Sequence, residues 1–245
     1  MITFSSKYRS NQTEIMDNFS LQGEEMQDLM TDLQRVNKWL GGIRVTLDGV
    51  ERLCANIPKN ETITILDVGC GDGEMLRNCE KWAQKNSRTI NLIGVDANPN
   101  ILREAVARSE AVKNSTFKVV DVFSKTAELP NFDIALCTLF LHHFKESQII
   151  DLLHRLNEKA QLGIVVNDLH RSRFAFWLFK LFAALFIKTK IAKHDGLVSV
   201  ARGFNRKDLK RIATYIPGHH DIRWKWAFRY QWVVEKENKV QSNIE

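Results

Sequence analysis

Hydrophobic positions along this 245-residue chain change period several times, and the changes predict its elements. Met26, Leu29, Met30, Leu33, Val36 and Leu40 recur at helical spacing, and Gly41-Gly42 supplies a stop. The first 42 residues therefore read as an amphipathic helical layer, with residues 1–12 looser. Leu47, Val50, Leu53, Cys54 and Ile57 mark the next helix, ended by Pro58. Beyond it, short apolar runs predict strands over 62–68, 90–95, 116–120, 132–137 and 162–166. Helical spacing between them predicts helices over 74–85, 100–112 and 146–157. Strands that alternate with helices make an α/β fold, a parallel sheet covered on both faces, with ligands outside the carboxyl ends of its strands.

The pattern changes after the fifth strand. Asn167-Asp168-Leu169-His170-Arg171-Ser172 is expected to leave the strand at the ligand edge. Next, 174–187 holds thirteen apolar residues out of fourteen, Lys180 being the exception, between Arg171, Arg173, Lys188, Lys190 and Lys193. A span needs about 20 residues, so this helix is too short to cross a bilayer. A helix apolar nearly all round must be covered. We expect it to cap the site and line a greasy substrate pocket, with a membrane interface as the second covering. His194-Asp195-Gly196 reads as a loop or turn, and Asn205 as the N-cap of a helix over 206–215 that Pro217-Gly218 ends. Trp224, Trp226, Phe228, Tyr230 and Trp232 alternate with polar residues, which is strand periodicity; a turn is expected near 226–228, although no Gly, Pro or Asn marks it.

Composition changes this picture little. The apolar fraction of 44%, charged fraction of 26% and net charge of +6 suit a globular domain with a solvated basic face. Cys54, Cys70, Cys79 and Cys137 form no paired or metal-ligand spacing and sit in apolar contexts, as buried reduced thiols do. No cluster of metal ligands is visible in the sequence, and no signal peptide or internal repeat. These features point to the cytoplasm, with the inner membrane face as a second address.

The chemistry gathers at Asp67-Val68-Gly69-Cys70-Gly71-Asp72-Gly73, where an apolar strand stops in a glycine-rich turn. Glycines let a ligand approach the backbone closely. Position 74 is Glu, so the third glycine of a dinucleotide fingerprint is missing, and carboxylates at 67 and 72 suit a cationic or hydroxyl-rich ligand better than a phosphate. Asp96 ends the second strand, where a carboxylate accepts hydrogen bonds from both hydroxyls of a ribose. This turn resembles motif I of the class I S-adenosylmethionine (SAM) dependent methyltransferases. The resemblance implies a Rossmann-like, seven-stranded sheet, mostly parallel with a C-terminal antiparallel strand. It implies a helical lid over 1–42, a SAM-binding domain over 43–245 and a helical cap inserted at about 170–204. It places SAM against Asp67, Gly69, Cys70, Gly71, Asp72, Gly73, Asp96, Ala97, Asp121, Val122, Cys137 and Thr138, with Asp121 at the adenine amino group.

The acceptor is less constrained. Strand four runs into Leu139-Phe140-Leu141-His142-His143-Phe144, without the Asn/Asp-Pro-Pro-Tyr/Phe signature of amino-directed nucleic-acid methylases. The chain resembles small-molecule methyltransferases instead. With 167–172, 194–196 and Asn37-Lys38-Trp39-Leu40-Gly41-Gly42 it is similar to bacterial enzymes found beside type III polyketide synthases, and more distantly to quinone-biosynthesis methyltransferases. That implies a hydrophobic small-molecule acceptor, phenolic, quinone-like or polyketide-derived, and no nucleic acid. O-methylation is expected first and C-methylation of a similar ring second. A nucleic-acid methyltransferase and a non-catalytic SAM-binding protein are the readings of other classes. His142, His170 and His194 are the candidate bases, and His143, Asp168, Arg171, Phe174 and Trp177 the candidate acceptor contacts.

Overall fold

The computed structural model describes residues 2–19, 21–124 and 126–237. The expected domain end at 245 lies outside the described residues. Strand β1 (Ile63–Val68) is the centre of a seven-stranded sheet. It pairs in parallel with β2 (Ile90–Asp96) and β4 (Ile134–Thr138). Outside these lie β3 (Ser115–Val119) and β5 (Gly163–Leu169), both parallel. Then β7 (Arg229–Glu235) pairs antiparallel with β5, and β6 (His219–Lys225) forms the far edge, giving the order β3-β2-β1-β4-β5-β7-β6.

Both faces of the sheet are apolar because helices cover both. Leu66 and Val68 of β1 face a core shared with α5 (Glu146–Lys159) and α8 (Arg206–Ala213). Ile63 and Ile65 point the other way, into a core with α2 (Gly42–Leu53) and α3 (Glu74–Lys85). Helix α4 (Pro99–Arg108) flanks β2 and β3, started by the Asn98 side chain accepting from the Asn100 N–H.

A further layer sits at the carboxyl edge of the sheet. Helix α1 (Gly23–Trp39) buries Met26, Leu29 and Met30 against Ala183 and Ile187 at the end of α6 (Arg173–Phe186) and Ala192 of α7 (Lys190–Arg202). Buried Asp32 of α1 ties the corner by accepting from the backbone N–H groups of Lys188 and Thr189.

Two expectations change. The polar run 167–169 stays in β5, because β7 pairs with it as far as Leu169↔Arg229. His194-Asp195-Gly196 lies inside α7 rather than in a loop; Gly196 is kept there by close packing, since a Cβ would sit 2.2 Å from the Phe179 ring of α6. In the 1–42 layer, Ile15–Asp17 form a short 3-10 turn, α1 starts at Gly23, and Gly41 adopts a left-handed conformation that starts α2. The hairpin turn falls at 226–228 as expected, with Phe228 at φ 56° in the place of a glycine.

Gly49 tests the packing of α2 on the sheet. A Cβ there would lie 2.5 Å from a Val165 methyl, a stiff β-branched group in a central strand. Gly49→Ala gains up to about 1 kcal/mol of helix propensity, but overpacking costs about 1–3 kcal/mol. The variant is expected to be less stable, read as a lower urea midpoint at unchanged slope.

Candidate active site

The carboxyl ends of β1, β2 and β4 open into a crevice of about 450 Å³. Gly69 and Gly71 form its floor, both at positive φ. A Cβ on Gly69 would strike the Phe140 ring at 2.1 Å, whereas at Gly71 it would meet nothing within 4 Å, so the backbone at Gly71 is open to a ligand. Asp96 stands beside it. Its Oδ2 accepts from the Gly71 N–H at 3.0 Å and its Oδ1 from the Asn98 N–H at 2.9 Å. Burial raises its pKa against these bonds. Ala97, Asp121, Val122, Phe123, Phe140, His143 and Phe144 continue the wall.

Six of the expected donor contacts line this crevice: Gly69, Gly71, Asp96, Ala97, Asp121 and Val122. The other six support it from behind. Asp67 is fully buried beneath the turn. Cys70 packs with Leu102, Ala105 and Phe117. Asp72 faces away, accepting from Gln34 of α1, from Arg108 at 3.0 Å and from the Glu74 N–H at 3.1 Å, so it clamps three helices around the turn. Gly73 is the left-handed start of α3. Cys137 is buried in β4, and the Thr138 hydroxyl bonds that of Thr46 at 3.1 Å.

The lid residues on the crevice are Met16, Asp17 and Phe19, which sequence spacing did not single out. Residues 9–17 are stitched to the turn after β4. Arg9 donates to the His142 carbonyl at 2.8 Å and Arg202 to the same carbonyl at 3.0 Å; Arg202 also donates to the His143 carbonyl. Asp195 of α7 accepts from the backbone N–H groups of Ile15 and Met16 at 2.8 and 2.9 Å.

The four histidines separate. His142 is buried between two carboxylates, its Nδ1 2.7 Å from Asp168 and its Nε2 3.4 Å from Glu14. Burial disfavours its charge, but Asp168 and Glu14 outweigh that and raise its pKa to about 9. It lies behind the crevice wall and is cationic at neutral pH, the wrong state for a base. His143 is the one histidine lining the crevice, its Nδ1 3.0 Å from Asp17. His170 lies on a second cavity, where its Nδ1 accepts from Trp224 Nε1 at 3.3 Å. That assignment puts the ring proton on Nε2 and leaves a donor rather than a base; burial and then the charge of Arg171 lower its pKa. His194, half-exposed on α7, pairs with Asp195 at 2.9 Å and does not reach the crevice.

The other expected acceptor contacts also lie elsewhere. Asp168 is engaged by His142. Arg171 is buried, donating to the Gly203 carbonyl at 2.6 Å and to Asp208 at 3.0 Å. Phe174 and Trp177 project from the outer face of α6. The second cavity, about 370 Å³, lies under α6 among Leu169, Phe179, Phe182, Val200 and Phe228, and shares no residue with the crevice. The pocket expected from the apolar helix is therefore separate from the donor crevice.

Residues 65–160 match the family model described as a methyltransferase domain, a stretch that holds every crevice residue except those of the lid. This stretch is a methyltransferase domain. The fold agrees. The structure of the plantazolicin methyltransferase BpumL in complex with SAH is 15% identical with a TM-score of 0.61, over 87% of this chain and 94% of that one. Magnesium protoporphyrin IX methyltransferase from Synechocystis PCC 6803 is 14% identical with a TM-score of 0.53, over 94% and 91%. An O-methyltransferase family 2 protein from Planctomyces limnophilus DSM 3776, solved with apigenin, is 16% identical with a TM-score of 0.53, over 80% and 62%. At such identities these likenesses speak for the fold.

The buried carboxyl under the methyltransferase turn has a measurable consequence. Burial, with the nearby charge of Asp96, raises the pKa of Asp67 from 3.8 to about 8. The folded chain therefore keeps a proton that the unfolded chain releases, and between those values the contribution of Asp67 to stability falls as pH rises, levelling off above them. Asp67→Asn removes this linkage. Without SAM, its thermal midpoint should decline less than that of the wild type across the same range.

Proposed function

We propose that this methyltransferase moves the methyl group of SAM to a hydroxyl of a hydrophobic small molecule, of phenolic, quinone-like or polyketide-derived type. The observation that carries the reading is the wall of the donor crevice. Met16, Phe19, Ile101, Phe123, Phe140 and Phe144 are apolar, and His143 stands among them as the one imidazole. Asp96 and Asp121 hold the ribose and adenine ends of SAM, and Gly71 lets the donor lie on the backbone. The acceptor oxygen sits at His143. It attacks the methyl carbon, the carbon–sulfur bond breaks, the sulfonium leaves as a neutral thioether, and the hydroxyl proton passes to water at this wall. The sulfonium is already activated, so the protein's work is to orient the two reactants and exclude water. Structural neighbours include an O-methyltransferase family 2 protein bound to apigenin, in keeping with an aromatic hydroxyl as acceptor.

Two substitutions separate the roles. Hydrogen bonds to a charged group are worth about 1.5–3 kcal/mol, so Asp96→Ala should weaken SAM binding by about ten- to a hundredfold in calorimetry. His143→Ala should keep SAM affinity and lose methyl transfer to a panel of lipid-soluble phenols. Unchanged turnover in the second variant would remove His143 from the site.

A second reading concerns location. The inner side of α6 is covered by α1 and α7, but Phe174, Trp177, Leu181 and Leu185 repeat along an outer face and are each more than half exposed, Leu181 and Leu185 at the mouth of the second cavity. Leu185 is 68% and Trp226, on the neighbouring hairpin tip, also 68% exposed. Arg173, Lys180, Lys188 and Lys190 are exposed along the same helix and its exit. No helix among the described residues is long and apolar enough to cross a membrane. An apolar stripe with bases beside it suits the plane of an anionic interface, from which a greasy acceptor is drawn. Sedimentation with vesicles containing an anionic phospholipid should recover the wild type, and Leu181→Asp/Leu185→Asp should stay in the supernatant. Equal partitioning of the two proteins would count against the contact.

A further inference from the structure

The lid and the turn after β4 bring together three side chains that are far apart in sequence. Glu14, His142 and His143 each offer one ligand atom, and these atoms lie within 4.8 Å of one another. Glu14 Oε1 is 3.4 Å from His142 Nε2, and Glu14 Oε2 is 3.9 Å from His143 Nε2. Bonds of about 2.0–2.2 Å to a tetrahedral ion set neighbouring ligands about 3.3–3.6 Å apart, so ligand pairs within 4.8 Å close the set by approaching one another by up to about 1.5 Å.

The atom at the centre of this cluster lacks a proper partner. His142 Nε2 is buried and makes no aligned hydrogen bond, although a carboxylate stands at ion-pair distance. Its other nitrogen is fixed by Asp168 at 2.7 Å. At His143, Asp17 stands at ion-pair distance, 3.0 Å from Nδ1, without an aligned hydrogen bond. A carboxylate hydrogen-bonded to the far nitrogen, as Asp168 is at His142, is the arrangement that orients a histidine toward a metal and raises its basicity. Ser199 fixes the third ligand by donating to Glu14 Oε1 at 2.8 Å.

An ion binding here takes the place of the proton that His142 otherwise holds between its two carboxylates. Glu14, Asp17 and Asp168 surround two imidazoles. The nearby Arg9 and Arg202 direct their donors at backbone carbonyls, and of the three carboxylates Asp17 alone has an arginine at ion-pair distance, Arg202 at 3.5 Å. Two imidazoles and one carboxylate suit first-row divalent ions, Zn²⁺ among them, rather than Mg²⁺ or Ca²⁺. Three protein ligands leave at least one coordination position open.

We propose that Glu14, His142 and His143 bind one divalent transition-metal ion at the wall of the donor crevice, with its open position toward the acceptor oxygen. The proposal rests on the placement of that oxygen at His143. The ion would clasp residues 14–17 onto the turn after β4 and so close the lid from within. It would also take the acceptor oxygen as its remaining ligand and ease the loss of the hydroxyl proton to water, with no change of oxidation state.

The test uses the full chain, stripped with a chelator and dialysed. Titration with Co²⁺ is expected to give visible absorption bands that saturate at one ion per chain, and Zn²⁺ is expected to displace them. Glu14→Gln keeps the size of the side chain and removes its charge; it should weaken Co²⁺ binding by about tenfold or more, as should His143→Gln, whose side chain reaches the crevice surface. Zn²⁺ should raise the thermal midpoint of the wild type and of neither variant. No saturable Co²⁺ or Zn²⁺ binding by the wild type, or equal affinity in both variants, overturns the proposal. SAM binding to the stripped protein, measured by calorimetry, keeps the two ideas apart. SAM binding without metal binding removes the ion and leaves the methyltransferase; metal binding lost in the variants while SAM binding is kept supports the ion.

Discussion

The stack Asp168–His142–Glu14 is the interaction on which the working edge of this methyltransferase depends. The first carboxylate belongs to β5, the imidazole to the turn after β4, and the second carboxylate to the N-terminal segment. Each group is buried, and each would be costly there alone: removing one partner of a buried pair costs about 3–5 kcal/mol because the remaining charge is stranded. The three are therefore kept together, and with them the sheet edge, the crevice wall and the lid. Arg9 and Arg202 extend the same bond to the backbone of residues 142 and 143.

The two cavities stay separate. Polar side chains at the end of β5 are directed at one another rather than into a ligand space, and the donor crevice shares no residue with the apolar cavity under α6. Asp96, Asp121 and the glycine turn stay on one side, lining the crevice. The apolar face of α6 lies on the other, and half of it is used to hold α1 and α7. A single helix thus serves as structural cap on its inner side and leaves an exposed stripe on its outer side.

Much of the core was legible because local rules and the fold agree there. The helix over 74–85 begins and ends as its periodicity requires, and Asn205 caps α8 with Asp208 as reciprocal partner. The side-chain partners around the site were not legible in the same way. Asp72 looked like a ligand contact but is consumed by Arg108, Gln34 and the start of α3. Arg171 looked like a substrate contact but is buried against Asp208. In both cases the competing partner comes from a separate element, which spacing along one segment does not reveal.

By itself, then, the sequence determined the alternating α/β order, the glycine turn after β1 and the carboxylates at the ends of β2 and β3. Each of these follows from short-range chemistry: side-chain period, the steric freedom of glycine, and the position of a polar residue at the end of an apolar run. Only the tertiary structure decided which histidine reaches the crevice, that Met16, Asp17 and Phe19 cover it, and that Glu14 meets His142 and His143. Those outcomes depend on how a segment more than a hundred residues away folds back over the sheet edge. They are settled by the pairing of buried charges across elements, which no local pattern records.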